Sequence, residues 1–479
     1  MAGRYDRFPT LRVPGHEVLL GYEALVGALA RRVGALRLSG ADRVVVACDS
    51  YPGVRDDEVL EALARLRPEV LVDTRELFPE PDELTRRMEP FLTDDRVFGR
   101  MCFGELEDFM DAGSLTSARE RVGGARGLVV VCGFGAALVH PGDVLVYCDV
   151  TRWEIQLRYR AGMPNYRCDN GGDDPLRKFK RGYFVEWRLA DRHKARLLGR
   201  ADFVVDTVDA GSPRAVAGPA LAEALDVASS RPFRTVPYFD PGVWGGQWMR
   251  ERFDLPDGAP NYAWSFDGVP EENALALAFD NAVVRVPAMD LTLLRPLPLL
   301  GEGVYARYGA EFPIRFDLLD TMGGQNLSLQ VHPTTDYIRR AFGMAYTQDE
   351  SYYVLDAEQG ACVYLGLREG VDPGEMMAAL ERANAGGEPF DAERYVNRLP
   401  ARPHDHFLIP AGTVHCSGAG TMVLEVSATP YIFTFKLWDW GRTGLDGRPR
   451  PVHLEHGGRV IRWDRDEGWV RRNLVGRAR

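Results

Sequence analysis

Two domains of different class are predicted: an N-terminal α/β domain on a mostly parallel sheet over residues 1–225, and a C-terminal all-β domain, a sandwich or barrel, over residues 226–479. Three observations predict this. As far as about residue 225, short β-branched runs alternate with charged, helix-forming segments, the pattern of a doubly wound parallel sheet. From Arg231-Pro232-Phe233 onward the chain turns to aromatics, Gly/Pro turns and many short alternating runs, the pattern of a strand-rich domain. And 479 residues with 45% hydrophobic content supply more than one core.

In chain order, Val18, Tyr22, Leu25, Val26, Leu29 and Val33 fall at helical spacing, so an amphipathic helix opens the fold. Val44-Val45-Val46 reads as a buried strand that ends in the turn Asp49-Ser-Tyr-Pro-Gly53, and Val59, Leu60, Leu63 and Leu66 mark the next helix. Further buried strands are read at 70–72, 128–131, 144–147 and 203–205. In the second half the strand signals lie at 312–319, 327–331, 352–355, 362–367 and 422–426, with one helix over 373–384.

Charge narrows the function classes. The formal net charge is −11, from 58 basic and 69 acidic residues, which argues against nucleic acid as the main partner and against an anionic lipid surface. No apolar run reaches the roughly 18 residues of a membrane span, and the N-terminal residues carry charge where a signal peptide needs an apolar stretch. Seven scattered cysteines without a C-x-x-C pair read as reduced thiols, so a cytoplasmic location is expected. Only Lys178, Lys180, Lys194 and Lys436 are lysines; every other basic residue is arginine. Residues 151–200 hold 13 basic and 6 acidic residues, a positive island in an acidic chain. Such an island suits a lid over phosphates, and equally a solvated helix face or a docking surface for the acidic remainder.

The chemistry-bearing residues gather after residue 326. Asn326-Leu-Ser-Leu-Gln-Val-His-Pro333 alternates as a strand does, sending Ser328, Gln330 and His332 to one face. A carboxamide and an imidazole two residues apart then share an aim point. Glu350 precedes the strand at 352–355, and His415 lies in Ile409-Pro-Ala-Gly-Thr-Val-His-Cys-Ser-Gly418. Two imidazoles, a carboxylate and an amide oxygen suit a divalent ion with one position open, the layout of a catalytic zinc site. A strand histidine such as His332 is equally at home hydrogen-bonded within a sheet.

Five motifs occur in order between about Trp244 and Glu455: Leu327-Ser-Leu-Gln-Val-His-Pro333, Asp349-Glu-Ser-Tyr-Tyr-Val-Leu-Asp356, Phe407-Leu-Ile-Pro-Ala-Gly-Thr-Val-His415, Val423-Leu-Glu-Val426, and Leu437-Trp-Asp-Trp-Gly-Arg442 followed by Pro451-Val-His-Leu-Glu455. In these the chain resembles class I mannose-6-phosphate isomerases, metal-dependent cupins. The resemblance implies a cupin jelly roll, one Zn2+ held by Gln330, His332, Glu350 and His415, and a sugar-phosphate substrate. It implies a catalytic role for Glu425, which matches a family active-site glutamate. Lys436 stands where the family usually has arginine, and in a chain that otherwise uses arginine this ammonium is read as catalytic, taking over part of the role of a family lysine that is absent here. A strand carboxylate paired with an arginine is the alternative for Glu425, and neutral drift the alternative for Lys436. Gln348 stands where the family has lysine and cannot act as a base. Ser328, Arg442 and Gln348 are the candidate substrate contacts; His404, His406, His453 and His456 read as loop or surface residues. The alternatives to mannose 6-phosphate isomerisation are a cupin isomerase or epimerase for another sugar, and a non-catalytic metal-containing sugar-phosphate sensor.

The N-terminal half resembles, in the order of its elements, a degenerate P-loop domain of the nucleoside-kinase type. Neither the turn Cys48-Asp-Ser-Tyr-Pro-Gly-Val-Arg55 nor Gly133-Phe-Gly-Ala-Ala137 carries the G-K-[ST] that holds phosphate and magnesium. The resemblance leaves a nucleotide as the candidate ligand of this domain.

Overall fold

A computed structural model describes residues 5–476 as two compact units. The first takes residues 9–235 and Ala274–Glu311. Its main sheet has seven strands in the order Leu19–Leu20, Arg214–Ala217, Phe203–Asp206, Val144–Asp149, Arg43–Ser50, Gly127–Gly133, Val70–Asp73. The last five of these pair in parallel and the first two are antiparallel additions at one edge. Helices Gly21–Leu38, Asp56–Ala64 and Ala112–Gly124 lie in the connections, as parallel neighbours require a crossover. Every strand read in this half is present, and the opening helix begins at Gly21 because Leu19–Leu20 is drawn into the sheet against Arg214–Ala215.

The sequence places a domain boundary at about residue 225, but that position lies inside the helix Gly218–Ser230. The compact units divide after Thr235, and residues 274–311 belong with the first unit. The reason is pairing and burial. Ala274–Ala278 pairs in parallel with Thr10–Arg12 and antiparallel with Val283–Pro287, forming a separate three-stranded sheet. Leu277, Val284 and Leu291 then share a core with Val204, Val216 and Leu221.

The second unit takes residues 5–8, Val236–Asn273 and 312–476. It is strand-rich, with two antiparallel sheets. One has six strands in the order His406–Ile409, Glu350–Ala357, Thr421–Ser427, Arg315–Asp320, Trp264–Gly268, Tyr238–Asp240. The other has five, in the order Val396–Pro400, Cys362–Leu367, His415–Ser417, Leu329–Val331, Phe435–Trp438. The helix Pro373–Asn384 forms where read, with proline at its first position and the Asp372 carboxylate accepting the Glu375 N–H at 2.8 Å. Among the described residues no helix is long and apolar enough to cross a membrane.

The lysines of the positive island fold inward, while Arg160, Arg177, Arg196 and Arg200 stay exposed. Lys178 Nζ donates to the carbonyls of Tyr159 (2.7 Å), Met163 (3.2 Å) and Gly171 (2.8 Å), and Lys180 Nζ to those of Thr93 (3.2 Å) and Asp95. Lys194 is fully buried between Asp149, at 2.6 Å, and Asp290. Burial opposes its charge, but the two carboxylates more than offset this and hold the ammonium above its ordinary pKa. These three ammonium groups are internal clamps. The glycine turn after Gly127–Gly133 also has an internal partner, since the Asp49 carboxylate accepts the N–H of Gly135 (3.2 Å) and of Ala137 (2.8 Å) and meets His193 Nε2 at 2.8 Å.

Candidate metal centre

The two sheets of the second unit bring four side chains together. Leu329–Val331 pairs antiparallel with His415–Ser417 so that Gln330 stands directly opposite His415. Their polar ends meet, Gln330 Nε2 lying 3.2 Å from His415 Nε2. His332 follows two residues later, and Glu350 arrives from the six-stranded sheet as the first residue of its strand. Glu350 Oε1 lies 2.7 Å from His415 Nε2 and Oε2 lies 3.0 Å from His332 Nε2. His332, Glu350 and His415 are buried and form a group able to hold a metal ion.

The hydrogen bonds behind the imidazoles say which atoms face inward. His332 Nδ1 donates to the Phe433 carbonyl at 3.0 Å and His415 Nδ1 to the Thr413 carbonyl at 2.9 Å. A carbonyl only accepts, so each Nδ1 carries its proton, which leaves both Nε2 atoms aimed at Glu350. Two imidazole lone pairs facing a carboxylate at about 3 Å repel unless protons or a cation lie among them. Among the described residues, Glu350 Oε1 and His332 Nε2 are moreover buried without a hydrogen bond of good geometry. Atoms that share an ion at about 2.0–2.2 Å stand roughly 3–3.5 Å apart, close to the spacing here. Donor set, spacing and orphaned atoms all fit a divalent ion.

A cavity of 270 Å³ lies beside this group, just below the roughly 300–1,000 Å³ usual for small-molecule sites. Gln330, Gln348, Ser328 and Glu425 line it, as do Lys436 and, on the apolar side, Trp244, Trp264 and Phe266. Trp264 lies edge-on to Trp244 with ring centroids 4.6 Å apart and stacks on Phe266 at 6.1 Å, so this wall is rigid. Lys436 stands opposite Gln330 in the sheet register. The Ser328 hydroxyl is buried and has no hydrogen bond among the described residues.

Glu425 is paired with an arginine, the alternative the sequence left open. Arg315, wholly buried, bonds Glu425 Oε1 through one guanidinium nitrogen and Asp317 Oδ1 through another at 2.7 Å. Asp317 and Glu425 are directly opposed across the two strands, so the guanidinium sits between like charges. Burial, with the charges of Asp317 and Glu350, raises the Glu425 carboxyl above its ordinary range despite Arg315. Burial pushes Asp317 up to about 6 against the pull of Arg315. Arg442 does not border the cavity; it bonds Asp439 and the Asn326 carbonyl. Arg450, which also bonds Asp439, does border it. Gln348 borders the cavity and touches Glu350. His453, read as a loop or surface residue, is buried, and its Nδ1 accepts the Lys436 N–H at 3.3 Å.

Sequence reasoning missed Arg315, Asp317, Arg450 and the aromatic wall. Alternation in Pro313-Ile-Arg-Phe-Asp317 puts Arg315 and Asp317 on one face, a signal that was available. That Glu425 lies opposite is a matter of strand pairing, which alternation does not specify.

A family model described as a domain of unknown function (DUF8485) matches residues 21–230. Curated relatives of the chain are mannose-6-phosphate isomerases. One from Streptococcus mutans serotype c (strain ATCC 700610 / UA159) is 27% identical over 215 residues, covering 44% of this chain and 62% of the relative. Mannose-6-phosphate isomerase ManA of Bacillus subtilis (strain 168) is 24% identical over 234 residues, covering 49% and 69%. This chain therefore spans under two thirds of the first relative's length. Among solved structures, the mannose 6-phosphate isomerase from Bacillus subtilis aligns at 22% identity and a TM-score of 0.40, over 48% of this chain and 68% of that one. A putative mannosephosphate isomerase from Archaeoglobus fulgidus aligns at 19% and 0.37, over 50% and 71%.

Proposed function

We propose that the second unit is a cupin-type aldose–ketose isomerase that interconverts mannose 6-phosphate and fructose 6-phosphate, with Gln330, His332, Glu350 and His415 as the ligands of one Zn2+. The observation that carries the reading is the pair of Nε2 atoms turned onto Glu350 beside a cavity with a rigid aromatic wall. The sequence relatives support the choice of sugar phosphate.

The reaction moves a proton between C2 and C1 while the carbonyl moves the other way. An ion held by the four ligands supplies Lewis acidity toward a sugar oxygen. Glu425, which lines the cavity, is the group assigned to take and return the carbon-bound proton. Lys436, on the cavity wall opposite Gln330, is assigned proton donation to the sugar oxygens, and Arg450 and the Ser328 hydroxyl are assigned to hold the sugar or its phosphate. Trp244 and Trp264 exclude water from that side. The first unit is assigned a structural part as a degenerate P-loop-like domain, and a cytoplasmic location rests on the seven free thiols.

The test is a coupled isomerase assay with mannose 6-phosphate on metal-analysed protein. His415→Ala is expected to release the ion and lower the rate at least about 100-fold, and Lys436→Met by about 10²–10⁴-fold. Turnover indifferent to His415→Ala sinks the metal assignment. Binding of mannose 6-phosphate without turnover selects the sensor, and turnover of another sugar alone selects the other isomerase or epimerase.

A further inference from the structure

Gln348 is only 1% exposed, and both ends of its amide are engaged. The Phe433 N–H donates to Oε1 at 2.9 Å. A backbone N–H must face an acceptor, so the orientation of the amide is set and its NH2 must point the other way. There Nε2 donates to Glu350 Oε2 at 3.0 Å, with Ser427 Oγ at 3.4 Å and Glu425 Oε1 at 3.5 Å. The same Phe433 holds His332 through its carbonyl. One peptide residue thus orients an imidazole directly and a carboxylate through Gln348.

We infer that Gln348 is a positioning residue for the metal-ligating carboxylate of Glu350, anchored by the Phe433 backbone, and is not a substrate contact. The inference rests on the metal reading above. Although Gln348 borders the cavity, its oxygen faces the Phe433 amide and its NH2 faces Glu350, so neither end is offered to a sugar. The donor is also neutral. It fixes the carboxylate without placing a second positive charge beside the ion, as an ammonium at this position would.

Two variants of the full chain separate the possibilities. Gln348→Glu is isosteric and keeps an acceptor for the Phe433 N–H but gives Glu350 no amide donor; Gln348→Leu removes both contacts. The measurements are Zn2+ affinity by chelator competition, the visible spectrum of the Co2+-loaded protein, and KM and kcat for mannose 6-phosphate. Both variants are expected to bind Zn2+ about 10–100-fold more weakly, with an altered Co2+ spectrum. If Gln348→Leu fails to fold, Gln348→Glu decides alone. Zn2+ affinity within twofold of wild type together with a raised KM overturns the inference and returns Gln348 to the substrate. Wild-type protein that binds no divalent ion overturns the metal reading, and this one with it.

Discussion

Three of the four lysines show why a chain that otherwise uses arginine keeps an ammonium. The Lys178 group points three donors at three carbonyls, a tripod that a planar guanidinium cannot reproduce in the same space. Lys178→Met therefore orphans buried acceptors and is expected to cost about 1–3 kcal/mol, read from denaturant unfolding, with Lys178→Arg failing to restore it. Lys194 is a harsher case. Lys194→Met leaves Asp149 and Asp290 facing each other without a counter-charge, and about 3–5 kcal/mol should be lost. Asp320 offers a pH signature. Burial pushes its carboxyl up to about 6 although the N–H groups of Met249 and Met322 donate to it. Because the folded pKa lies above the unfolded one, its contribution to stability is fullest below about pH 4 and is lost as the pH rises through 6. Stability measured from pH 4 to 7 should fall less steeply in Asp320→Asn than in wild type.

At the scale of elements, the metal group depends on register and on one turn. In Pro410-Ala-Gly-Thr-Val-His415, Gly412 has φ +87°, and a Cβ there would stand 2.6 Å from Arg462 Cγ and 2.9 Å from the Val460 carbonyl. Its N–H donates to the His332 carbonyl at 2.9 Å, so this turn ties together two residues of the candidate metal group. Gly412→Ala is expected to weaken Zn2+ binding as well as stability. Asp372→Ala, which removes only the cap of a helix distant in sequence from the ligands, should cost about 1 kcal/mol and leave Zn2+ affinity alone. Chelator competition and denaturant unfolding on both variants separate the two effects. Much of this level was legible: alternation in Asn326–Pro333 placed Gln330 and His332 together, and Asp372-Pro373 announced its helix. The pairings Gln330 with His415 and Asp317 with Glu425 were not, because a two-residue period says which face a side chain takes and nothing about the neighbouring strand.

For the whole molecule, the return of residues 274–311 to the first unit governs how the chain can be divided. A fragment ending at residue 235 lacks the strand Ala274–Ala278 that pairs with Thr10–Arg12, the strand Val283–Pro287 beyond it, and the Asp290 partner of Lys194. It is expected to lack a cooperative unfolding transition, measured by circular dichroism. Metal removal should act on the other unit. A divalent ion held by the candidate metal group at about 100 times its Kd would add about 2.7 kcal/mol, so chelation should then lower that unit's melting transition by roughly 5–10 °C.

The sequence by itself determined the two classes of structure, the five parallel strands of the first sheet and the residue types of a candidate metal site, because periodicity and side-chain chemistry are local properties. Only the tertiary structure decided where the units divide, what the lysines serve, that Arg315 grips Glu425 and that Gln348 backs Glu350. Each of these joins residues far apart in the chain, through strand pairing and burial that no local pattern encodes.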